Sequence, residues 1–320
     1  MSLIHRSATL ALLLTLASAC SSTGDIAERQ VRTLDSRPDD KTPRSLMGLP
    51  LRTGQLVLTE APGDLSFFFP LVPKTFYRFT HAALLVFEDG QPFVYDIVGE
   101  LSVLDAIYAD RPTDAVAGKV RRNTFYDYVK PNLYAEIYDP PEGVDPDKLA
   151  AWIQQKYRDE TPFDPYFDYA DHDALFCTEF VSQALEAAGS KTIELVPRKP
   201  NASLKEGIAW LNVPDGKFLP AGLFADPKRY RGACGSFPNL NMVRSYYAAK
   251  REIHRRFTAD QKLGNIFLLD GLEIFLRPEL DDFVRRSTGL FAREREQIDE
   301  ATINQAVGEL AAQLFGPFPG

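Results

Sequence analysis

Four histidines (His5, His81, His172 and His254) and three cysteines (Cys20, Cys177 and Cys234) hold most of the nucleophile and base chemistry open to this 320-residue chain. Cys177 stands out by position. The run from Cys177 to Ala188 reads as a helix with Phe180, Val181, Ala184, Leu185 and Ala188 as its apolar stripe and Gly189 as its stop. Cys177 precedes Phe180 and Val181 by three and four residues, which puts it on the inward face. It also opens the helix, where unpaired N–H groups and the helix dipole favour a thiolate. Two readings stay open from position alone: a placed nucleophile, or a small buried hydrophobe.

A base for that thiol is supplied by a hairpin. Asp89-Gly90 lies between apolar runs at 80–87 and 93–98, a strong two-residue turn signal. With that turn Glu88 pairs with Gln91, Ala83 faces Asp96 and His81 faces Val98. His81 and Asp96 then project from one side, as diagonal neighbours ~7–8 Å apart at Cα. A carboxylate between Val94 and Val98 on an apolar face needs a partner. His81 is the nearest cation in this register, and Glu100 is the alternative acid. The competing reading has His81 capping its strand and Asp96 bonding loop amides. A thiol, an imidazole and a carboxylate suit a nucleophile, its base and the group that orients the base.

The chain order is His, acid, Cys, so a papain-like arrangement would have to be circularly permuted. These segments resemble the permuted NlpC/P60 cysteine hydrolases of the YiiX/YebB-like type. The resemblance lies in Gly54-Gln55-Leu56-Val57-Leu58, Thr80-His81-Ala82-Ala83-Leu84-Leu85, Val94-Tyr95-Asp96, and Phe163-Asp164 with Phe167-Asp168 leading to Phe176-Cys177-Thr178-Glu179-Phe180-Val181. It spans roughly residues 51–229. Gln55 stands where the family usually has Asp, and Asp96 where Glu is usual. The resemblance implies an α+β, papain-like fold, with an antiparallel sheet carrying His81 and Asp96 packed on the Cys177 helix. It implies thiol-dependent hydrolysis or acyl transfer at an amide or ester, with Cys177 as nucleophile, His81 as base and Asp96 as orienting acid. Thr80, Phe176, Thr178 and Tyr169 are expected to border the cleft, and neither metal nor organic cofactor is required. The expected substrates are peptidoglycan peptides or lipid acyl groups. The rival is a non-catalytic envelope lipoprotein that binds a lipid or peptide in the same cleft.

The elements that must position these residues run strands first, helices later. Strands are expected at 54–58, 81–87, 93–98, 117–121 and 133–138. Asp145-Pro146 starts a helix running to about Tyr157, and helical runs follow at 242–256, 263–276 and 294–315. Four segments result: a signal at 1–19, a flexible tether at 20–47, the hydrolase-like domain at 48–232 and a helical extension at 233–320. The signal has Arg6, an apolar run from Ala8 to Leu16, then Ala17-Ser18-Ala19-Cys20, which resembles a bacterial lipobox. Cys20 is thus the expected lipid attachment, with Ser21 after it favouring the outer membrane, facing the periplasm. The run is too short to span a bilayer, which needs ~20 residues.

Other features carry less. With 36 basic and 44 acidic residues, a net charge of -8 argues against a nucleic-acid partner. The aromatic segment 65–79 either lines an acyl pocket or lids the core. Basic residues at 244–256 suit anionic headgroups or a solvated helix face. Asp171-His172-Asp173 reads as loop structure near the site mouth, braced by Asp164 and Asp168. A Cys177–Cys234 disulfide is the minority reading, because Cys234 sits in Gly-Ala-Cys-Gly, read as a loop after the domain.

Overall fold

Short runs of β-branched and aromatic residues separated by turn residues form the strands. The computed structural model describes residues 30–38, 45–101, 112–197, 217–259, 263, 266–270 and 273–318. Cys20 and the signal lie outside them. Among the described residues, one sheet holds seven strands: β1 (Arg32–Ser36), β2 (Leu56–Glu60), β3 (His81–Glu88), β4 (Gln91–Leu101), β5 (Val116–Thr124), β6 (Tyr134–Tyr138) and β7 (Tyr230–Gly235). Their order is β1-β7-β6-β2-β3-β4-β5, and every pairing is antiparallel. The β3–β4 hairpin closes as its turn residues require: Glu88 pairs with Gln91, and Asp89 and Gly90 both take positive φ.

The fold is α+β, with helices on both sheet faces. Helix α1 (Phe125–Val129) is capped by Thr124, whose side chain accepts from the Asp127 N–H. Its Phe125, Tyr128 and Val129 pack with Val57, Ala83, Leu85 and Val94 into the smaller core. The other face is thicker. There α2 (Pro146–Arg158), capped by Asp145, and α3 (Cys177–Ala187) bury Leu149, Ile153, Phe180, Val181 and Ala184 against Leu56, Leu84, Tyr95 and Ile97. Helices α4 (Leu240–Ala259), α5 (Pro278–Gly289) and α6 (Glu300–Phe315) share that same core.

Three expectations need correction. Residues 32–36 are not tether: they form edge strand β1, whose ladder groups are satisfied by β7. Cys234 is not in a loop after the domain. It lies within β7, fully buried, and that strand crosses the expected boundary at 232/233. The run 263–276 is no helix, because Phe267–Asp270 and Glu273–Leu276 pair as a hairpin. The apolar residues there, Phe267, Ile274 and Phe275 among them, favour strands. The helical extension packs on the sheet. Lys250 of α4 pairs with Glu60 at the end of β2 and donates to Ser66 O at 2.8 Å. No helix among the described residues is long and apolar enough to cross a membrane.

Candidate functional site

Pairing between β3 and β4 runs from Glu88–Gln91 only as far as Leu84–Tyr95, while β4 stays paired with β5 out to Leu101–Val116. The strands have therefore parted by the time β3 reaches its first residue, His81. Strand alternation aims His81 and Asp96 to the smaller-core face, with Ala83 and Val94. Cys177 comes from the other side, on a helix buried in the larger core. They meet where the strands part. His81 Nε2 and Asp96 Oδ2 are 2.9 Å apart, and the Cys177 sulfur hydrogen-bonds the His81 ring. With Nε2 engaged by Asp96, Nδ1 is the ring nitrogen left for sulfur.

Asp96 is fully buried, and its second partner is one that sequence reasoning missed. Arg121, directly across from it in β5, donates Nε to Oδ1 at 3.1 Å and Nη2 to Oδ2 at 2.7 Å. Glu100, the alternative acid, is largely exposed and reaches only Arg121, at 3.9 Å. Burial opposes the Asp96 charge, but the His81 hydrogen bond and the charges of Arg121 and His81 outweigh it and hold the carboxyl below its ordinary value. Burial likewise opposes charge on His81. The neighbouring Cys177 and the bonds to Asp96 and Cys177 prevail, and the imidazole is pushed up to about 10. The imidazole is therefore cationic across the neutral range, with the buried Asp96 carboxylate as its counter-charge.

Tyr128 of α1 also borders this group, with its ring centroid 6.4 Å from that of His81. Among the described residues, its buried phenol oxygen and Thr59 Oγ1 have no hydrogen-bond partner of ordinary geometry. Neither was legible beforehand, since nothing local shows which helix will cover the smaller core.

The cleft beside Cys177 is narrow. Thr80, Phe176 and Thr178 line it, together with Phe69, Tyr77, Phe79, Phe167 and Leu219. Tyr169 is placed elsewhere: its hydroxyl meets Ser182 Oγ at 3.0 Å on α3, and Phe167 takes the cleft position. The aromatic segment is divided between core and cleft. Phe67, Phe68 and Leu71 are core, whereas Phe69 and Tyr77 face the thiol. Phe79 holds φ at +69°, a strained value for a bulky side chain, two residues before His81.

The N-terminus of α3 is held by Glu179, which reaches back to the Phe176 N–H as a capping-box acid does. Glu179 Oε1 also meets His172 Nδ1 at 2.8 Å and Gln183 Nε2 at 2.9 Å. Burial pushes Glu179 up to about 9, despite the Phe176 bond. Asp164 accepts the N–H groups of Tyr166 and Asp168, so it braces the loop. Asp168 does so too, accepting from the Ala170 N–H. Gln55 is buried and donates to Pro50 O and Asp139 Oδ1, a structural role.

Cys177 and Cys234 are both free thiols. Cys234 packs in the smaller core and Cys177 against the larger one, so the sheet stands between them. Burial raises the Cys234 thiol to about 12, which leaves it inert. Among the described residues, no group of three or more His, Cys, Asp or Glu side chains is placed to hold a metal ion.

No family model and no curated protein matches the chain. One similar solved structure is metalloprotein yiiX from Escherichia coli O157:H7. It is 18% identical, with a TM-score of 0.41, over 55% of this chain and 93% of that one.

Proposed function

We propose that the protein is a cysteine hydrolase or acyltransferase with a permuted papain-like arrangement, acting on an amide or ester. The observation that supports this reading best is the bonded series Cys177–His81–Asp96, with a half-exposed sulfur at a helix start and a cleft beside it. Cys177 Sγ attacks the carbonyl carbon and forms a C–S bond. The unpaired N–H groups at the start of α3, that of Cys177 included, stabilise the oxyanion. As the tetrahedral intermediate collapses, His81 gives its proton to the leaving nitrogen or oxygen and the C–N or C–O bond breaks. Water, or an acceptor hydroxyl or amine, then attacks the thioester while His81 takes its proton, and the thiolate leaves. Asp96, clamped by Arg121, keeps the ring oriented and its charge stabilised.

The cleft walls are mostly aromatic and apolar, which favours a lipid acyl group over a peptidoglycan peptide. Anchoring through a lipidated Cys20, at the outer membrane facing the periplasm, would place the enzyme beside such substrates. The test is S-acylation by an activated-ester or thioester probe on the purified protein. Parent protein is expected to form a Cys177 adduct rapidly and Cys177→Ala to form none. Equal labelling of both, or slow labelling typical of an ordinary thiol, rejects the enzyme reading in favour of a binding lipoprotein.

A further inference from the structure

The molecule has a second and much roomier cavity, of about 410 Å³, between the β1–β7–β6 part of the sheet and helices α4 and α6. That size falls within the ~300–1,000 Å³ usual for small-molecule sites. Arg78 separates it from the thiol cleft: Tyr77 and Phe79 face the cleft, while Arg78 between them faces this cavity. Three more guanidinium groups join it, from Arg37, Arg244 and Arg251.

The carboxylates here are already committed. Glu136 takes both Arg78 nitrogens, at 3.1 and 3.3 Å, and the hydroxyls of Tyr134 and Tyr138. Glu300 pairs with Arg251 at 2.9 Å. Asp35 accepts the Tyr230 hydroxyl and stands 3.9 Å from Arg37, a long and exposed pair. Arg244 meets only uncharged oxygens, Ile298 O at 2.9 Å and Gln297 Oε1 at 3.3 Å. Four guanidinium groups thus face three carboxylates, and each keeps N–H donors to spare. Aromatic surface lies alongside, with Arg37 stacked 4.8 Å over the Tyr230 ring.

We propose that this cavity binds a small molecule bearing an oxyanion, a phosphate or carboxylate group, seated between Arg37, Arg244 and Arg251 with its body against Tyr230 and Tyr247. Arginine forks match such groups in geometry as well as charge. Mere stapling of β1, α4 and α6 to the sheet would not require an open cavity of this size with a surplus cation. The site stands apart from the thiol chemistry and does not depend on it.

Calorimetric titration at fixed ionic strength tests it, using inorganic phosphate and succinate as soluble probes. Phosphatidylcholine vesicles with and without phosphatidic acid form the lipid arm. Saturable binding is expected in at least one arm, and the arm that saturates identifies a free metabolite or a headgroup as the source. Arg37→Gln and Arg251→Gln, both at partly exposed positions, are each expected to weaken that binding tenfold or more while the folded far-UV spectrum is kept. No saturation in any arm overturns the proposal, as does binding that both variants leave unchanged.

Discussion

Two fully buried carboxylates in this sheet have opposite surroundings. Glu60 is closed in: Lys250, itself 1% exposed, pairs with it, and the hydroxyls of Tyr246 and Tyr247 approach to 3.0 and 3.4 Å. Asp96 is just as buried, yet its partners reach outward, with His81 17% and Arg121 38% exposed. Burial drives the Lys250 amine below its ordinary value, although Glu60 opposes that shift. Around Asp96 the balance falls the other way and raises His81. A sealed pair can only hold parts together. An open one leaves its imidazole within reach of Cys177 and of solvent.

This contrast can be broken at several points. The largest effect is expected for Cys177→Ala, which should remove acyl-transfer activity by about 10⁴-fold or more while leaving thermal stability near the parent's. Activity surviving in that variant would erase the distinction between the two clusters. Lys250→Ala should do the reverse. It strands the Glu60 charge and costs about 3–5 kcal/mol in denaturant unfolding. Probe labelling of the molecules that remain folded should be intact, and Lys250→Met with Glu60→Gln should recover most of the loss.

Asp96→Ala is expected to lower kcat/KM by roughly 10²-fold, since it removes the group that orients and charges His81. The same coupling sets the pH profile. With His81 raised to about 10, the alkaline limb of kcat/KM should lie near that pH, and Asp96→Ala should move it downward. The linked stability is complete below the unfolded imidazole value of 6.5 and is lost as pH rises through about 10, measurable as a falling unfolding midpoint. The smallest effect concerns Glu179. Its folded value of about 9 exceeds the ordinary 4.5, so the unfolded chain ionises first and stability drains away between those values. Glu179→Gln should be the more stable protein at neutral pH, with a gain that grows towards pH 9.

Some of this was legible residue by residue. Asp89-Gly90 set the hairpin register from Glu88–Gln91 to Leu84–Tyr95, because a two-residue turn leaves no freedom in pairing. Asp145-Pro146 and Gly189 marked helix ends, since caps are local hydrogen-bonding problems. Arg121 was not legible as the clamp on Asp96. The β4–β5 connection is long, and its length leaves the register undetermined. Strand β1 was hidden as well: Arg32–Ser36 is polar in sequence and becomes a strand only because β7 offers it an edge.

What the amino-acid order determined, then, is local: which residues face which side, where helices begin, and that one thiol, one imidazole and one carboxylate have suitable positions. Tertiary structure decided that they meet. Cys177 and His81 approach from opposite faces of the sheet, and only the parting of β3 from β4 lets them touch. Alternation along a strand is a property of the backbone and can be read from spacing. Where two strands separate depends on what packs against them from distant parts of the chain.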